Sequence, residues 1–176
     1  FVLVRHEGSA GFMADACAQL TGAPGICIGT LGPGVTNLVS PIAGAHLERS
    51  QVVAITGQIR TSLLETYTHQ ILDHVALFEP ITREAVLLTE DAPRDQIEGT
   101  LSALDSGVPG PVLIDVPAEL WGESMGAISL PAKAPSLIPD VSAAQARLAA
   151  AERPVLAVGH LQLTDAVAKA ITTLAE

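Results

Sequence analysis

Three short segments of the sequence carry polar residues that are able to do chemistry. The first, Arg5-His6-Glu7-Gly8, offers a carboxylate directly after an apolar run; the second, residues 29–37, is rich in glycine and ends in an amide; the third, residues 66–70, ends in a histidine and a glutamine. A carboxylate can exchange a proton with a ligand, and glycines let a backbone approach a ligand closely. Each segment also has an ordinary structural reading, as a first-turn helix charge, a tight strand-to-helix turn and a surface loop. Taken singly, none of them decides the function.

The glycine-rich segment lacks the spacing of the common nucleotide-binding motifs. It contains neither the G-x-G-x-x-G of dinucleotide sites nor the Gly-Lys-Ser/Thr of a P-loop, which disfavours a dinucleotide-binding fold. His46, His74 and His160 share no metal-ligand spacing with each other or with carboxylates. We therefore read these histidines as structural or surface residues and predict no metal site in this chain.

Composition excludes several kinds of partner. The net charge of −10 and the few, scattered aromatic residues argue against a nucleic-acid partner. No apolar stretch approaches the roughly 18 to 20 residues that a membrane span requires. Cys17 and Cys27 form no C-x-x-C pair and lie in apolar surroundings, so we predict two buried free thiols and a cytoplasmic protein.

Short runs rich in Val, Ile and Leu alternate with stretches of helical periodicity. Strands are predicted at residues 1–4, 25–30, 52–57, 85–89, 111–116 and 154–159. Helices are predicted around the apolar stripe Phe12, Ala16, Cys17 and Leu20, at residues 35–47 and at residues 93–104. The alternation predicts an α/β fold, a doubly wound and mostly parallel sheet with helices on both faces. Ligands of such sheets bind at the carboxyl ends of the strands, where the three polar segments fall.

A change in composition divides the chain. Residues 1–124 are predicted to form one domain, residues 125–139 a linker rich in Ser, Pro, Lys and Ala, and residues 140–176 the beginning of a second α/β domain. In that second part we expect a helix at residues 141–151, the strand at 154–159 and an Ala-rich helix from Thr164 onward. Because the sequence opens inside a predicted strand and without Met, we expect it to be a fragment.

The order of the motifs, more than any one of them, resembles a known family. Arg-His-Glu is followed by Gly-Pro-Gly-Val-Thr-Asn, then Val-Val-Ala-Ile-Thr-Gly-Gln, His-Gln and Gly-Pro-Val-Leu-Ile-Asp-Val-Pro. Over about residues 1–121 this order resembles the pyrimidine-binding domain of thiamine diphosphate enzymes of the acetolactate synthase and pyruvate oxidase group. The remainder resembles the start of that group's central domain. The resemblance implies an enzyme that decarboxylates and ligates 2-keto acids with thiamine diphosphate as cofactor.

The resemblance gives roles to five residues. Glu7 matches the family glutamate that hydrogen-bonds N1′ of the aminopyrimidine, and it is the one catalytic residue expected in this chain. Pro33, Gly34 and Asn37 match the loop that lines the pyrimidine, and Gln70 matches a polar residue near the reacting end of the cofactor. In an apolar pocket the pKa of Glu7 is expected to be raised, which would let it share a proton with N1′ and favour the imino tautomer.

Other family features are not in this sequence. The Gly-Asp-Gly segment that binds the diphosphate through Mg²⁺ is absent, so the Mg²⁺ ligands are expected outside this chain, as are a leading strand and helix before Phe1. Gly8, Ser9 and His69 differ from the residues common in acetolactate synthases, which leaves the substrate open. The sequence also leaves open whether FAD binds the central domain.

The sequence also gives expectations about self-association and one alternative function. The resemblance implies a homodimer or homotetramer with the active site at the subunit interface, and the helix at residues 35–47 shows more apolar and small surface than one sheet face covers. The alternative is a non-catalytic α/β binding or interaction module that has lost cofactor use. Retention of Glu7 favours the enzyme.

Overall fold

The computed structural model of the chain describes residues 1–128, 139–159 and 164–175. The chain divides into two compact units, Phe1–Pro131 and Ala132–Glu176. The predicted linker falls largely outside the described residues, and the predicted domain limits stay a prediction.

The first unit is built on a parallel sheet, as the sequence predicted. Its elements in chain order are α1 (Glu7–Thr21), β1 (Gly25–Gly29), α2 (Pro33–Leu47), β2 (Val52–Gln58), α3 (His74–Phe78), β3 (Glu84–Leu87), α4 (Pro93–Ser102) and β4 (Val112–Pro117). Short 3₁₀ turns lie at Thr61–Leu63, Glu79–Ile81 and Ala118–Leu120. The four strands are all parallel in the order β1-β2-β4-β3, and Thr56 of β2 lies opposite Asp115 of β4.

Hydrophobic clusters form on both faces of the sheet, since neighbouring residues along a strand point to opposite faces. One cluster joins Val52 and Ala54 of β2 to α1 and α2, and the other joins Val53 of the same strand to Leu104 and Leu120. The doubly wound α/β architecture is therefore confirmed for this unit.

Helix α1 packs on α2 through small residues, and the apolar stripe from which this helix was predicted is not its buried face. The stripe residues are all exposed: Phe12, Ala16, Cys17 and Leu20. The buried positions of α1 are Gly8, Gly11, Ala14 and Ala18. A Cβ on Gly11 would lie 2.4 Å from Cγ of Pro41, so the two helices approach too closely for a larger residue there. Size at the contact, and not hydrophobicity alone, decides which face of α1 is buried.

The two cysteines differ. The predicted burial of Cys17 is wrong because α1 turns that side chain outward, whereas Cys27 in β1 is buried and both thiols are free. Burial raises the pKa of the Cys27 thiol to about 12.

Helix α2 is largely covered within this unit, which weakens the reasoning for self-association from this helix. Val35, Leu38 and Ile42 are completely buried, whereas Leu47 at the end of the helix is 77% exposed. More exposed apolar side chains lie on α1 and β1, where Phe12, Met13, Ile26 and Ile28 are about half exposed or more. Self-association stays a prediction.

Residues 1–4 do not form the predicted strand. They pair with no neighbouring strand among the described residues, and Phe1, Val2 and Leu3 are exposed. A strand needs hydrogen bonds to a neighbour, and an apolar run alone does not supply them.

The second unit contains α5 (Ser142–Ala149) and α6 (Asp165–Ala175), close to the predicted helices. The predicted strand at residues 154–159 is wrong for the same reason as residues 1–4, since no strand to pair with occurs in the described part of this unit. His160 lies outside the described residues. Within residues 1–128, 139–159 and 164–175, no helix combines the length and apolar character that a membrane crossing requires.

Candidate active site

Glu7 lies at the start of a helix that is capped by its neighbour. It is the first residue of α1, and Nδ1 of His6 accepts a hydrogen bond from the Gly8 backbone N–H at 3.0 Å. The first turn of a helix carries unpaired N–H groups and a partial positive charge, so a carboxylate is favoured there. The Glu7 side chain is only partly buried.

The start of α2 converges on the same carboxyl group. Gly32 caps α2 with φ +62°, a conformation that favours glycine, and Pro33 occupies the first turn. One turn later Asn37 Nδ2 donates to Oε2 of Glu7 at 3.0 Å. A Cβ on Gly34 would lie 3.2 Å from Oε1 of Glu7, so the glycine keeps that side of the carboxyl group open to close approach. The N-termini of two helices therefore meet at one carboxyl group.

The electrostatics of Glu7 contradict one expectation. Its pKa is lowered, chiefly because the Asn37 amide donates to the carboxylate, and burial raises it less than these hydrogen bonds lower it. The predicted raised pKa is therefore wrong for this structure. The physical reason is that Glu7 is hydrogen-bonded and still reached by water, and an apolar enclosure does not surround it.

Gln70 lies against the turn that begins α2. A Cβ on Gly32 would lie 2.7 Å from Cβ and 2.9 Å from the backbone oxygen of Gln70, whose φ is +59°. Gln70 lies in the segment 61–73, between β2 and α3. The beginning of this segment is held by Glu119, whose Oε1 accepts one hydrogen bond from the Thr61 backbone N–H at 3.0 Å and another from the Thr61 hydroxyl at 2.6 Å. The Gln70 side chain is exposed.

All five residues predicted for the site are thus brought to one region. Glu7, Gly34 and Asn37 are in direct proximity, Pro33 lies between Gly32 and Gly34, and Gln70 packs on that turn. Their roles toward a ligand stay predictions.

A buried polar cluster next to this region was not predicted from the sequence. It consists of Thr56, Gln58, His74 and Asp115. The Asp115 carboxyl group accepts from the Thr56 hydroxyl at 2.6 Å and lies 3.0 Å from Nδ1 of His74. The available clue was an acidic residue inside the otherwise apolar run Val-Leu-Ile-Asp-Val. His74, read as structural or surface, is a buried residue of this cluster.

No group of three or more His, Cys, Asp or Glu side chains able to hold a metal ion occurs in the part of the chain that the structure describes. Residues that would hold Mg²⁺ are therefore not identified among the described residues.

Comparisons with known proteins agree on one family. Residues 1–77 match the family model described as thiamine pyrophosphate enzyme, N-terminal TPP binding domain. The chain is 40% identical over 168 residues to the acetolactate synthase large subunit of Corynebacterium glutamicum, covering 90% of this chain and 27% of that protein. It is 37% identical over 166 residues to the large subunit of acetolactate synthase isozyme 1 of Escherichia coli, covering 90% of this chain and 29% of that protein. A probable acetolactate synthase large subunit of Methanocaldococcus jannaschii is 32% identical over 188 residues, covering 99% and 32%.

The chain spans only 27% to 32% of the length of these three relatives. What it shares with them is therefore one segment of a longer protein.

Proposed function

Because the chain belongs to the thiamine pyrophosphate enzyme family, within the acetolactate synthase group, we propose that it supplies the aminopyrimidine half of a thiamine diphosphate site. The complete enzyme would decarboxylate a 2-keto acid and join the product to a second one. The activity of the complete enzyme is inferred from the similarity of this one segment to acetolactate synthases.

The observation that carries the proposal is the pairing of Glu7 with Asn37. A carboxylate at the junction of two helix N-termini, with one oxygen fixed by an amide at 3.0 Å, is held in a defined direction. The other oxygen faces Gly34, where even a Cβ would lie 3.2 Å from it, so the glycine lets α2 approach the carboxyl group closely. A carboxylate held this way can accept a hydrogen bond from a protonated ring nitrogen of a flat heterocycle.

The residues present fit the aminopyrimidine. Glu7 would hold a proton at N1′, Pro33 and Gly34 at the start of α2 would line the ring, and Gln70 would face the reacting end. When bound, thiamine diphosphate supplies a nucleophilic carbon and an electron sink for decarboxylation. The pKa of Glu7 is lowered in the open site. A heterocycle bound over Glu7 would exclude water from the carboxyl group, and this desolvation would raise its pKa and favour sharing a proton with N1′.

Parts of the site would come from elsewhere. We propose that Mg²⁺ and the diphosphate are held by residues outside this chain, in a cytoplasmic homodimer or homotetramer whose active site lies between subunits. The net charge of −10 supports the first point, because an anionic diphosphate needs positive charge or a metal ion near it.

Turnover of pyruvate by the full-length enzyme that carries this segment tests the proposal. With thiamine diphosphate and Mg²⁺ present, we expect carbon dioxide release that Glu7→Gln lowers by about 10²- to 10⁴-fold, the usual loss when an acid–base group is removed. The matched control is Asp95→Asn, which removes another first-turn carboxylate, on α4, and should leave the rate unchanged. If the wild type neither binds the cofactor nor consumes a 2-keto acid, the rival interpretation of a non-catalytic module replaces this one.

A further inference from the structure

The hydrogen-bond partners of His74 indicate which of its two ring nitrogens carries the proton. Nε2 of His74 lies 3.4 Å from the backbone nitrogen of Gly32, and a backbone N–H only donates, so Nε2 accepts and carries no proton. Nδ1 lies 3.0 Å from Oδ2 of Asp115 and 3.3 Å from Nε2 of Gln58. Because Asp115 is the nearer group and a carboxylate accepts, while Gln58 Nε2 has the Leu72 backbone oxygen as an acceptor at 3.4 Å, we assign the proton to Nδ1. His74 thus links the Gly32 turn to Asp115 in one direction, from donor to acceptor at each step.

Asp115 is a fixed end for this chain of hydrogen bonds. It lies on β4 between β2 and β3 and is 1% exposed. Its Oδ1 accepts from the Thr56 hydroxyl at 2.6 Å, and Gln58 Nε2 lies 3.5 Å from its Oδ2. A buried carboxyl group with several donors on a central strand has little freedom to move, so it holds the His74 ring in one orientation.

At the other end of this series of hydrogen bonds, His74 is linked to two parts of the candidate site. Gly32 caps α2, the helix that carries Gly34 and Asn37 toward Glu7. His74 is also the first residue of α3, four residues after Gln70, which itself packs on Gly32. The bond between Glu119 and Thr61 fixes the beginning of the Gln70 segment, and His74 fixes its end.

We propose that His74 is a positioning residue for the cofactor site: through Nε2 it fixes the start of α2, and through its place on α3 it fixes the Gln70 segment, both against the sheet at Asp115. The proposal rests on the proposed function, because the site that is positioned is the aminopyrimidine site. His74 touches neither substrate nor cofactor in this role.

Two conservative variants separate this role from a general structural one. In His74→Gln the side-chain oxygen reaches the former place of Nε2 and can still accept from Gly32. In His74→Asn the side chain ends near the former place of Nδ1, so it can still donate to Asp115 but does not reach Gly32. The matched control is His46→Gln, which changes a histidine in the last turn of α2, at the end of that helix away from Gly32 and the site.

Two measurements on the full-length enzyme give the outcome. Losing one hydrogen bond of this kind corresponds to a factor of about three to ten. In His74→Asn we expect amide hydrogen exchange of the peptide containing Gly32 to quicken by about that factor, and the thiamine diphosphate concentration for half-maximal activity to rise by about the same factor. We expect His74→Gln, which keeps the bond to Gly32 but loses the one to Asp115, to be affected less than His74→Asn in both measurements. We expect His46→Gln to stay within about twofold of the wild type, at a temperature where all variants are folded.

The outcomes distinguish this proposal from the function on which it rests. If His74→Asn is folded and both readouts match the wild type, or if His74→Gln and His74→Asn are equally impaired, the positioning role is wrong. If the wild type shows no thiamine diphosphate-dependent activity, the proposed function fails, while unchanged exchange at Gly32 in His74→Asn still overturns the hydrogen-bond link by itself.

Discussion

Two fully buried threonines provide a matched test of the polar cluster. Thr56 and Thr100 are both 0% exposed. The Thr56 hydroxyl donates to Oδ1 of Asp115 at 2.6 Å, whereas Oγ1 of Thr100 has no hydrogen-bond partner in the described part of the chain. Replacing either by valine keeps the shape and removes only the hydroxyl, so the same substitution should have opposite effects at the two positions.

The size of each effect follows from these contacts. Thr56→Val removes a donor to a buried carboxyl group, and such bonds contribute about 1.5 to 3 kcal/mol. Thr100→Val removes a buried hydroxyl that lacks a partner, so it should leave the free energy of unfolding unchanged or raise it by up to about 1 kcal/mol. We therefore expect the two variants to differ by about 1.5 to 4 kcal/mol, with Thr56→Val the less stable.

Urea unfolding followed by tryptophan fluorescence measures this difference. Trp121 is the single tryptophan of the chain, and its indole N–H donates to the Val116 backbone oxygen at 3.1 Å, so its emission reports on the unit that contains β4. The slope of the unfolding free energy against urea should be the same in both variants, which makes the midpoints comparable. If Thr56→Val were as stable as Thr100→Val, Asp115 would not depend on the Thr56 hydroxyl, and our description of the cluster would be wrong.

Four further predictions concern packing, the pKa of Glu7, the pH dependence of stability and cofactor affinity. Gly11→Ala should destabilise the chain by about 1 to 3 kcal/mol because its Cβ would lie 2.4 Å from Cγ of Pro41, whereas Gly44→Ala, with no atom within 4 Å, should gain roughly 0.5 to 1 kcal/mol; urea midpoints that fail to separate would contradict this. Asn37→Ala should raise the pKa of Glu7 toward its ordinary value of 4.5, because the amide is the main cause of the lowered pKa, and a carboxyl ¹³C titration that shows no rise would contradict it. Since the pKa of Glu7 is lowered in the folded state, ionised Glu7 stabilises the fold above about pH 4.5, and this stabilisation is lost as the pH falls through the pKa of the folded state. The melting temperature of the wild type should therefore fall more steeply in acid than that of Asn37→Ala, and equal steepness would contradict this. The 176-residue chain alone should bind thiamine diphosphate weakly or not at all even with Mg²⁺, and micromolar affinity by calorimetry would show that the diphosphate half of the site does not lie elsewhere.

The sheet was predictable because each of its strands lies in a mostly apolar run. Such runs are typical of parallel sheets, and β1, β2, β3 and β4 lie within a few residues of the predicted limits, although β1 buries only one of its faces. The same pattern at residues 1–4 and 154–159 predicted strands that are not there. Strand formation depends on a neighbour with free backbone groups, which a local pattern does not reveal.

The buried face of α1 and the buried polar cluster could not be predicted from the sequence, for two different reasons. Periodicity favoured the larger apolar residues of α1, but the close contact between Gly11 and Pro41 admits only small ones. Thr56 and Asp115 are 59 residues apart, and they meet only because β2 and β4 are neighbours in parallel register. In contrast, Glu7 and Asn37 were found from the order of motifs that the family shares, although the lowered pKa of Glu7 depends on a contact visible only in three dimensions.

The central claim is that Glu7 exchanges a proton with the bound aminopyrimidine, and C2 hydrogen–deuterium exchange of thiamine diphosphate on the full-length enzyme tests it most directly. If Glu7 serves this purpose, Glu7→Gln keeps the shape of the side chain but loses the proton acceptor, and the exchange rate should fall by roughly 10²- to 10⁴-fold with the cofactor still bound. Asp95→Asn, the control on α4, should exchange at the wild-type rate. An unchanged rate in Glu7→Gln with cofactor bound would contradict the account and leave Glu7 as a first-turn charge that stabilises α1.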